Sequence, residues 1–188
     1  MNLGLLQPDI NVIWDLAPHD ISILLHVLGC APTEVCANGG VYVQRRSLMH
    51  EVAYVVLGFP NGIVANLRLS WLDPVKIRRV TIVGSRKMLV YDDIADQKVT
   101  LFDKGVEVPV YSDTPEQFAA SYRHGPEAAL PVAWTEPLAV ECADFLSSVQ
   151  SGRKPRSDGD LGLRVVRVLE AADRSLHNSG GREVIRYD

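Results

Sequence analysis

Two alternating runs on either side of Pro60-Asn61-Gly62 constrain this chain most. Glu51 to Phe59 reads as one strand and Ile63 to Trp71 as its return partner, because Asn-Gly readily adopts the positive φ angles of a tight turn between right-twisted strands. In the second run Ile63, Ala65, Leu67, Leu69 and Trp71 share one face, and Val64, Asn66, Arg68 and Ser70 the other. One face is core and the other is mixed. Ile77 to Val83 with Met88 to Tyr91 forms a second predicted hairpin around Gly84 to Lys87, and Lys98 to Phe102 with Val106 to Val110 a third around Gly105. Consecutive hairpins imply a mainly antiparallel sheet.

Helical spacing appears in three places. Ile21, Leu24, Leu25 and Leu28, stopped by Gly29, predict a helix from roughly residue 16 to 28. Leu138, Cys142, Phe145, Leu146 and Val149 mark a second, and Leu161, Val165, Val168, Leu169, Ala172 and Leu176 a third that Gly180-Gly181 ends. Both of these stripes are expected in the core. Glu183 to Tyr187 is an additional candidate edge strand, and residues 111 to 135 show no period, so they are expected to be irregular, with Tyr122 and Trp134 anchoring them on the sheet. The order helix, hairpins, helices predicts an α+β fold: an open, mainly antiparallel sheet with helices packed on one face.

At 188 residues, 47% hydrophobic and 22% charged, the chain is expected to be one domain spanning residues 1 to 188. A net charge of −4 with no basic stripe argues against nucleic acid, and Arg153-Lys154-Pro155-Arg156 reads as a solvated loop. Three cysteines without Cys-x-x-Cys spacing give no disulfide framework or zinc site and suit a reducing cytoplasm. No secretory signal and no run of about 18 apolar residues argues for a membrane location. His26, His50, His124 and His177 lack the spacing of a metal motif, and Asp15, His19 and Asp20 are too few for a divalent cation, so no metal is expected.

The chemistry-bearing segment is Asn11 to Ser22, where Asp15 and His19 stand four residues apart near a helix start. If Asp15 is the N-cap, His19 and Pro18 fall in the first turn, where a missing N–H costs little. The helix terminus then disfavours an imidazolium while the carboxylate favours one, which poises His19 as a base. A cap beside an ordinary histidine is the competing reading.

Asp15-Leu-Ala-Pro-His19-Asp20 is similar to the Asp-x-x-x-His signature in the second domain of the Gfo/Idh/MocA family of NAD(P)-dependent sugar and cyclitol oxidoreductases. Ser70 to Gly84, Met88 to Asp93, and Glu136-Pro-Leu138 ahead of Phe145-Leu146 agree in order and spacing. The resemblance looks closest to the branch that oxidises the 3-position of nucleotide-linked N-acetylated sugars. It implies that His19 is the general base on a substrate hydroxyl, that Asp15 supports it, and that the exposed sheet face pairs subunits into a homo-oligomer. Arg123 suits a carboxylate or phosphate on a sugar nucleotide, against the commoner reading of a solvated arginine.

Family members begin with a dinucleotide-binding domain bearing Gly-x-Gly-x-x-Gly and then a Glu-Lys-Pro motif. Neither occurs in this chain, whose Gly39-Gly40 and Gly180-Gly181 pairs lack the fingerprint spacing. The chain is therefore expected to be a second domain whose dinucleotide-binding domain is missing. NAD or NADP would serve the full-length parent, and none is expected to bind this chain alone. The function expected is the substrate-binding and catalytic-base half of a sugar or nucleotide-sugar dehydrogenase, with a non-catalytic binding or assembly module as the alternative.

Overall fold

The computed structural model describes residues 6 to 107 and 121 to 187. The chain divides into two compact units, Met1–Lys76 with Val140–Asp188, and Ile77–Ala139. The α+β class holds, with three helices and antiparallel pairing throughout, and the strands fall into two four-stranded sheets.

The first unit contains helix α1 (Val12–Leu28), strands β1 (Glu34–Gly40), β2 (Val52–Gly58) and β3 (Val64–Ser70), helix α3 (Gly159–His177) and edge strand β8 (Glu183–Val184), with spatial order β3-β2-β1-β8. The expected first hairpin is present. Its turn places Asn61 and Gly62 at φ of 68° and 73°, and β2 pairs β3 from Val52↔Ser70 to Gly58↔Val64. Val35 and Ala37 of β1, Ala53, Val55 and Leu57 of β2, and Leu67 and Leu69 of β3 all face inward. Ile13, Ala17, Ile21 and Leu25 of α1 and Val165, Val168, Leu169, Ala172 and Leu176 of α3 cover them. The third helical stripe is core as expected.

Helix α1 starts earlier than its apolar period suggests. Asn11 is the N-cap, its side chain accepting from the Ile13 and Trp14 amides at 3.0 and 3.3 Å, and Gly29 closes the helix at φ 65°. Pro18 is consequently an interior residue, where a proline costs about 3 kcal/mol. Complete burial of Val12 and Ile13, worth about 1.5–3 kcal/mol each, offsets that cost and explains the extra turn.

The second unit carries β4 (Arg79–Val83), β5 (Met88–Asp92), β6 (Val99–Glu107) and β7 (Ser121–Leu130) in sequential antiparallel order. The β4–β5 hairpin is as expected, and the third one is not. Strand β6 runs straight through Gly105, with a bulge between Phe102 and Lys104, and pairs with β7; residues 108–110 lie outside the described residues. Gly105 marks a close approach, since a Cβ there would stand 3.0 Å from the Arg123 guanidinium. Residues 121–130, expected to be irregular, form that strand. Tyr122 is 72% exposed and does not anchor the segment, whereas Trp134, 58% exposed, lies against the Lys98 ammonium just before β6, 4.9 Å from its ring centroid.

Helix α2 (Pro137–Ser151) also departs from expectation. Leu138, Phe145, Leu146 and Val149 are exposed, Cys142 likewise, and Ser148 is its buried residue.

Candidate functional site

The site is built on the first turns of α1. With Asn11 satisfying the terminal amides, Asp15 is released from capping and lies inside the first turn. The condition that Asp15 caps the helix is therefore not met. The Asn11 cap also moves His19 out of the first turn, so the terminal field, which fades within one turn, acts on Asp15 rather than on His19.

The Asp15 carboxylate has a specific partner that no local pattern reveals. Its Oδ2 accepts the indole N–H of Trp71 at 2.7 Å, a contact across 56 residues of sequence. Trp71 follows β3 and is 1% exposed. His19 lies one turn beyond Asp15 and is exposed. The sequence of environments runs outward from buried indole to half-buried carboxylate to open imidazole. Beside it, burial pushes the Asp20 carboxyl above its ordinary range, with His19 pulling in the opposite direction.

Glu51 organises the surroundings. It is fully buried, and its carboxylate accepts from the backbone amides of Tyr42, Val43 and Gln44 at 2.6, 3.1 and 2.5 Å. Its carbonyl accepts the Trp71 amide at 2.9 Å, while the neighbouring His50 carbonyl accepts the Val12 amide at 3.0 Å. The end of β3 and the start of α1 are thus tied to one dipeptide. The sequence reading missed Glu51; its only signal was a charged residue opening a strand whose next apolar positions are buried.

A cavity of about 290 Å³ opens beside the α1 N-terminus, between Asn11 and Trp14 on one side and residues 47–50, Asp173 and His177 on the other. Neither Asp15 nor His19 lines it. Asn11 Nδ2 donates to Asp173 Oδ1 at 2.6 Å, and the rings of His50 and His177 meet edge-on at 6.1 Å between centroids. Burial, then the charge of His177, holds the His50 imidazole below its ordinary value, against the pull of Asp173 and Glu51.

Arg123 belongs to the second unit. Its guanidinium lies 3.3 Å from Asp103 and 3.6 Å from Glu107, and donates to the Arg86 carbonyl. Two carboxylates therefore already engage it. Among the described residues, no group of three His, Cys, Asp or Glu side chains converges as a metal site, and no helix is long and apolar enough to cross a membrane.

Residues 7–90, which contain Asp15, His19, Glu51 and Trp71, match the sequence profile described as GFO/IDH/MocA C-terminal domain. Over that stretch, less than half of the 188 residues, the chain is similar to that domain family. A curated relative, UDP-N-acetylglucosamine 3-dehydrogenase of Acidithiobacillus ferrooxidans, is 29% identical over 159 residues, which is 84% of this chain and 46% of the relative. A solved structure of UDP-N-acetylglucosamine 3-dehydrogenase GnnA from the same organism superposes with a TM-score of 0.73 at 25% identity, covering 92% of this chain and 50% of that one. The same fold recurs in aldose-aldose oxidoreductase from Caulobacter crescentus complexed with glycerol, with a TM-score of 0.72 at 18% identity over 97% of this chain and 52% of that one. It recurs again in the WlbA dehydrogenase from Bordetella pertussis, solved with NADH and UDP-GlcNAcA, with a TM-score of 0.66 at 16% identity over 96% and 46%. The chain spans about half the length of the relatives it matches.

Proposed function

We propose that this chain is the substrate-binding, base-bearing part of an NAD(P)-dependent sugar dehydrogenase whose substrate class is a nucleotide-linked sugar. The observation that carries the reading is the Asp15 carboxylate held by Trp71 one helical turn before the exposed His19. His19 accepts the proton of a sugar hydroxyl, and Asp15 orients the imidazole and shares its positive charge. The matched relatives support the substrate class, since one is named for a UDP-sugar and another was solved with one.

NAD or NADP supplies the hydride acceptor in such a reaction, and these residues do not fit it. Every described strand pair is antiparallel, and no described strand runs through a glycine-rich loop into a helix. The cofactor is accordingly assigned to a dinucleotide-binding domain beyond this chain, as the doubled length of the relatives suggests. Calorimetric titration of the 188-residue chain with either cofactor is expected to show no saturable heat. Saturable micromolar binding would overturn that assignment.

Joining this chain to a relative's dinucleotide-binding domain tests the base. His19→Ala is expected to lose about 10²–10⁴-fold in turnover while melting normally, and Asp15→Asn to lose turnover as well. Wild-type turnover in a folded His19→Ala protein sinks the assignment, and no turnover in the joined wild type favours a binding or assembly module. Arg123, taken within the second unit by itself, is retained as a candidate for an anionic group, which would replace Asp103 and Glu107 as its partner; Arg123→Ala is then expected to raise KM and spare kcat.

Self-association through the outer face of the β3-β2-β1-β8 sheet belongs to the same reading, because Tyr54, Val56, Val64 and Val184 stand exposed there. Light scattering across concentrations should give a multiple of the 20.7 kDa chain mass, reduced by Val56→Lys with Val64→Lys. A strictly monomeric wild type removes this role. Three unpaired cysteines accord with a reducing cytoplasm.

A further inference from the structure

We infer that Trp71 is the positioning residue of this site: its indole N–H fixes the carboxylate through which Asp15 supports His19. The inference rests on the reading of Asp15 and His19 given above and adds the element that makes their geometry reproducible.

Four observations carry it. The indole is rigid, since Trp71 is 1% exposed and its backbone amide is anchored on the Glu51 carbonyl at 2.9 Å. The next amide, that of Leu72, is held by the Ser70 hydroxyl at 3.0 Å, so the segment carrying the indole is pinned on both sides. The donor reaches a charged acceptor, Asp15 Oδ2, at 2.7 Å, the short range of a charge-assisted bond. Finally, Asn11 already caps α1, which leaves the Asp15 carboxylate no local amide to serve.

Filling this volume would require only an apolar side chain. An indole adds one buried N–H, which has to be satisfied, and the acceptor it finds is the carboxylate one turn from the base. Swinging Asp15 to another rotamer would orphan that donor in the core. The carboxylate is therefore confined to one orientation, and a carboxylate has a second oxygen with which to face a neighbour. Trp71 touches neither substrate nor cofactor in this scheme; it acts through Asp15.

The test removes the N–H and keeps the shape. Site-specific replacement of Trp71 by 3-benzothienylalanine, which carries sulfur in place of the indole N–H, is made in the joined protein used for His19. The expected result is a fall in kcat of about 10- to 100-fold with KM within about twofold and the melting temperature close to wild type. Trp71→Phe is made in parallel, and its kcat is expected to fall similarly in the folded fraction. A readout independent of turnover comes from the 188-residue chain, where the Trp71 indole N–H proton resonance should move upfield in Asp15→Asn as the charged acceptor is lost.

The outcomes separate the two readings. Wild-type kcat in the sulfur isostere, with His19→Ala inactive, overturns the role of Trp71 and leaves the base standing. Raised KM with unchanged kcat, or a loss of kcat that only tracks loss of folded protein, also overturns it. An indole resonance that ignores Asp15→Asn overturns it without any activity measurement. Wild-type turnover in His19→Ala overturns both.

Discussion

Replacing Glu51 by glutamine should destabilise the first unit far more than a conservative exchange of one atom suggests. The carboxylate is fully buried and accepts three backbone amides, Tyr42 on Oε2 and Val43 and Gln44 on Oε1. Glutamine has a single side-chain oxygen, so its best placement keeps Val43 and Gln44 and turns an NH₂ group toward the Tyr42 amide. Hydrogen bonds to a charged group contribute about 1.5–3 kcal/mol and neutral ones about 0.5–1.5. The Tyr42 bond is lost outright and the other two are weakened by about 1 kcal/mol each, so the expected cost is about 3–5 kcal/mol. At about 2–4 °C per kcal/mol for a chain of this size, the melting temperature should fall by about 6–20 °C. Differential scanning calorimetry near pH 7 reads this directly, with Arg46→Gln on the exposed part of the same loop as control. A Glu51→Gln chain melting within about 2 °C of wild type would refute the claim that this carboxylate organises the loop.

Three further outcomes follow from local geometry. Asn11→Ala should cost about 2–4 kcal/mol by urea denaturation, combining a lost cap with the lost bond to Asp173, whereas Asn11→Asp should also destabilise despite capping well, because it sets a second carboxylate where 2.6 Å now separates Asn11 Nδ2 from Asp173. His50 binds a proton less readily in the folded chain than at its ordinary 6.5, so the unfolded state takes up more protons and stability falls as pH drops below that value. The groups facing it are His177, Asp173 and Glu51, and His50→Gln should flatten that acid limb in melting curves recorded from pH 7.5 to 5. Burial pushes the Tyr187 phenol up to about 12, where it donates to the Pro32 carbonyl at 2.8 Å, so its contribution is complete below pH 10 and lost as pH rises through about 12. Tyr187→Phe should lack that alkaline loss, and an unchanged alkaline limb would count against the contact.

Much of the first unit is legible because its elements announce themselves locally. The Asn61-Gly62 turn takes the positive φ angles that its residues favour, and the α3 stripe from Val165 to Leu176 lies inside as its spacing requires. Strand β1 was invisible by contrast. Asn38, Gly39 and Gly40 are poor strand formers, and the segment is a strand because β2 and β8 flank it and α3 covers it. Gly39 has a packing reason that no propensity encodes: a Cβ there would stand 2.6 Å from the Val52 carbonyl. Gly105 was misleading for the same reason, since glycine marks close approach as readily as it marks a turn.

The Asp-x-x-x-His spacing was readable, and the physical account attached to it was not. Placing the cap at Asp15 followed from the apolar period beginning at Ile21, yet Val12 and Ile13 are buried and Asn11 takes the capping role. Moving the start by one turn changes what each residue is for. Asp15 ceases to be a cap and becomes an acceptor for a buried indole, and Pro18 changes from a tolerated first-turn residue into an interior defect that burial must offset. The Trp71 contact spans 56 residues and has no periodic signature. What the sequence did contain was a tryptophan at the end of the β3 core face, the one side chain in that row with a donor that must be satisfied once buried. Asking which acceptor could reach it, instead of counting it as apolar, leads from the core of the sheet to the carboxylate beside the proposed base.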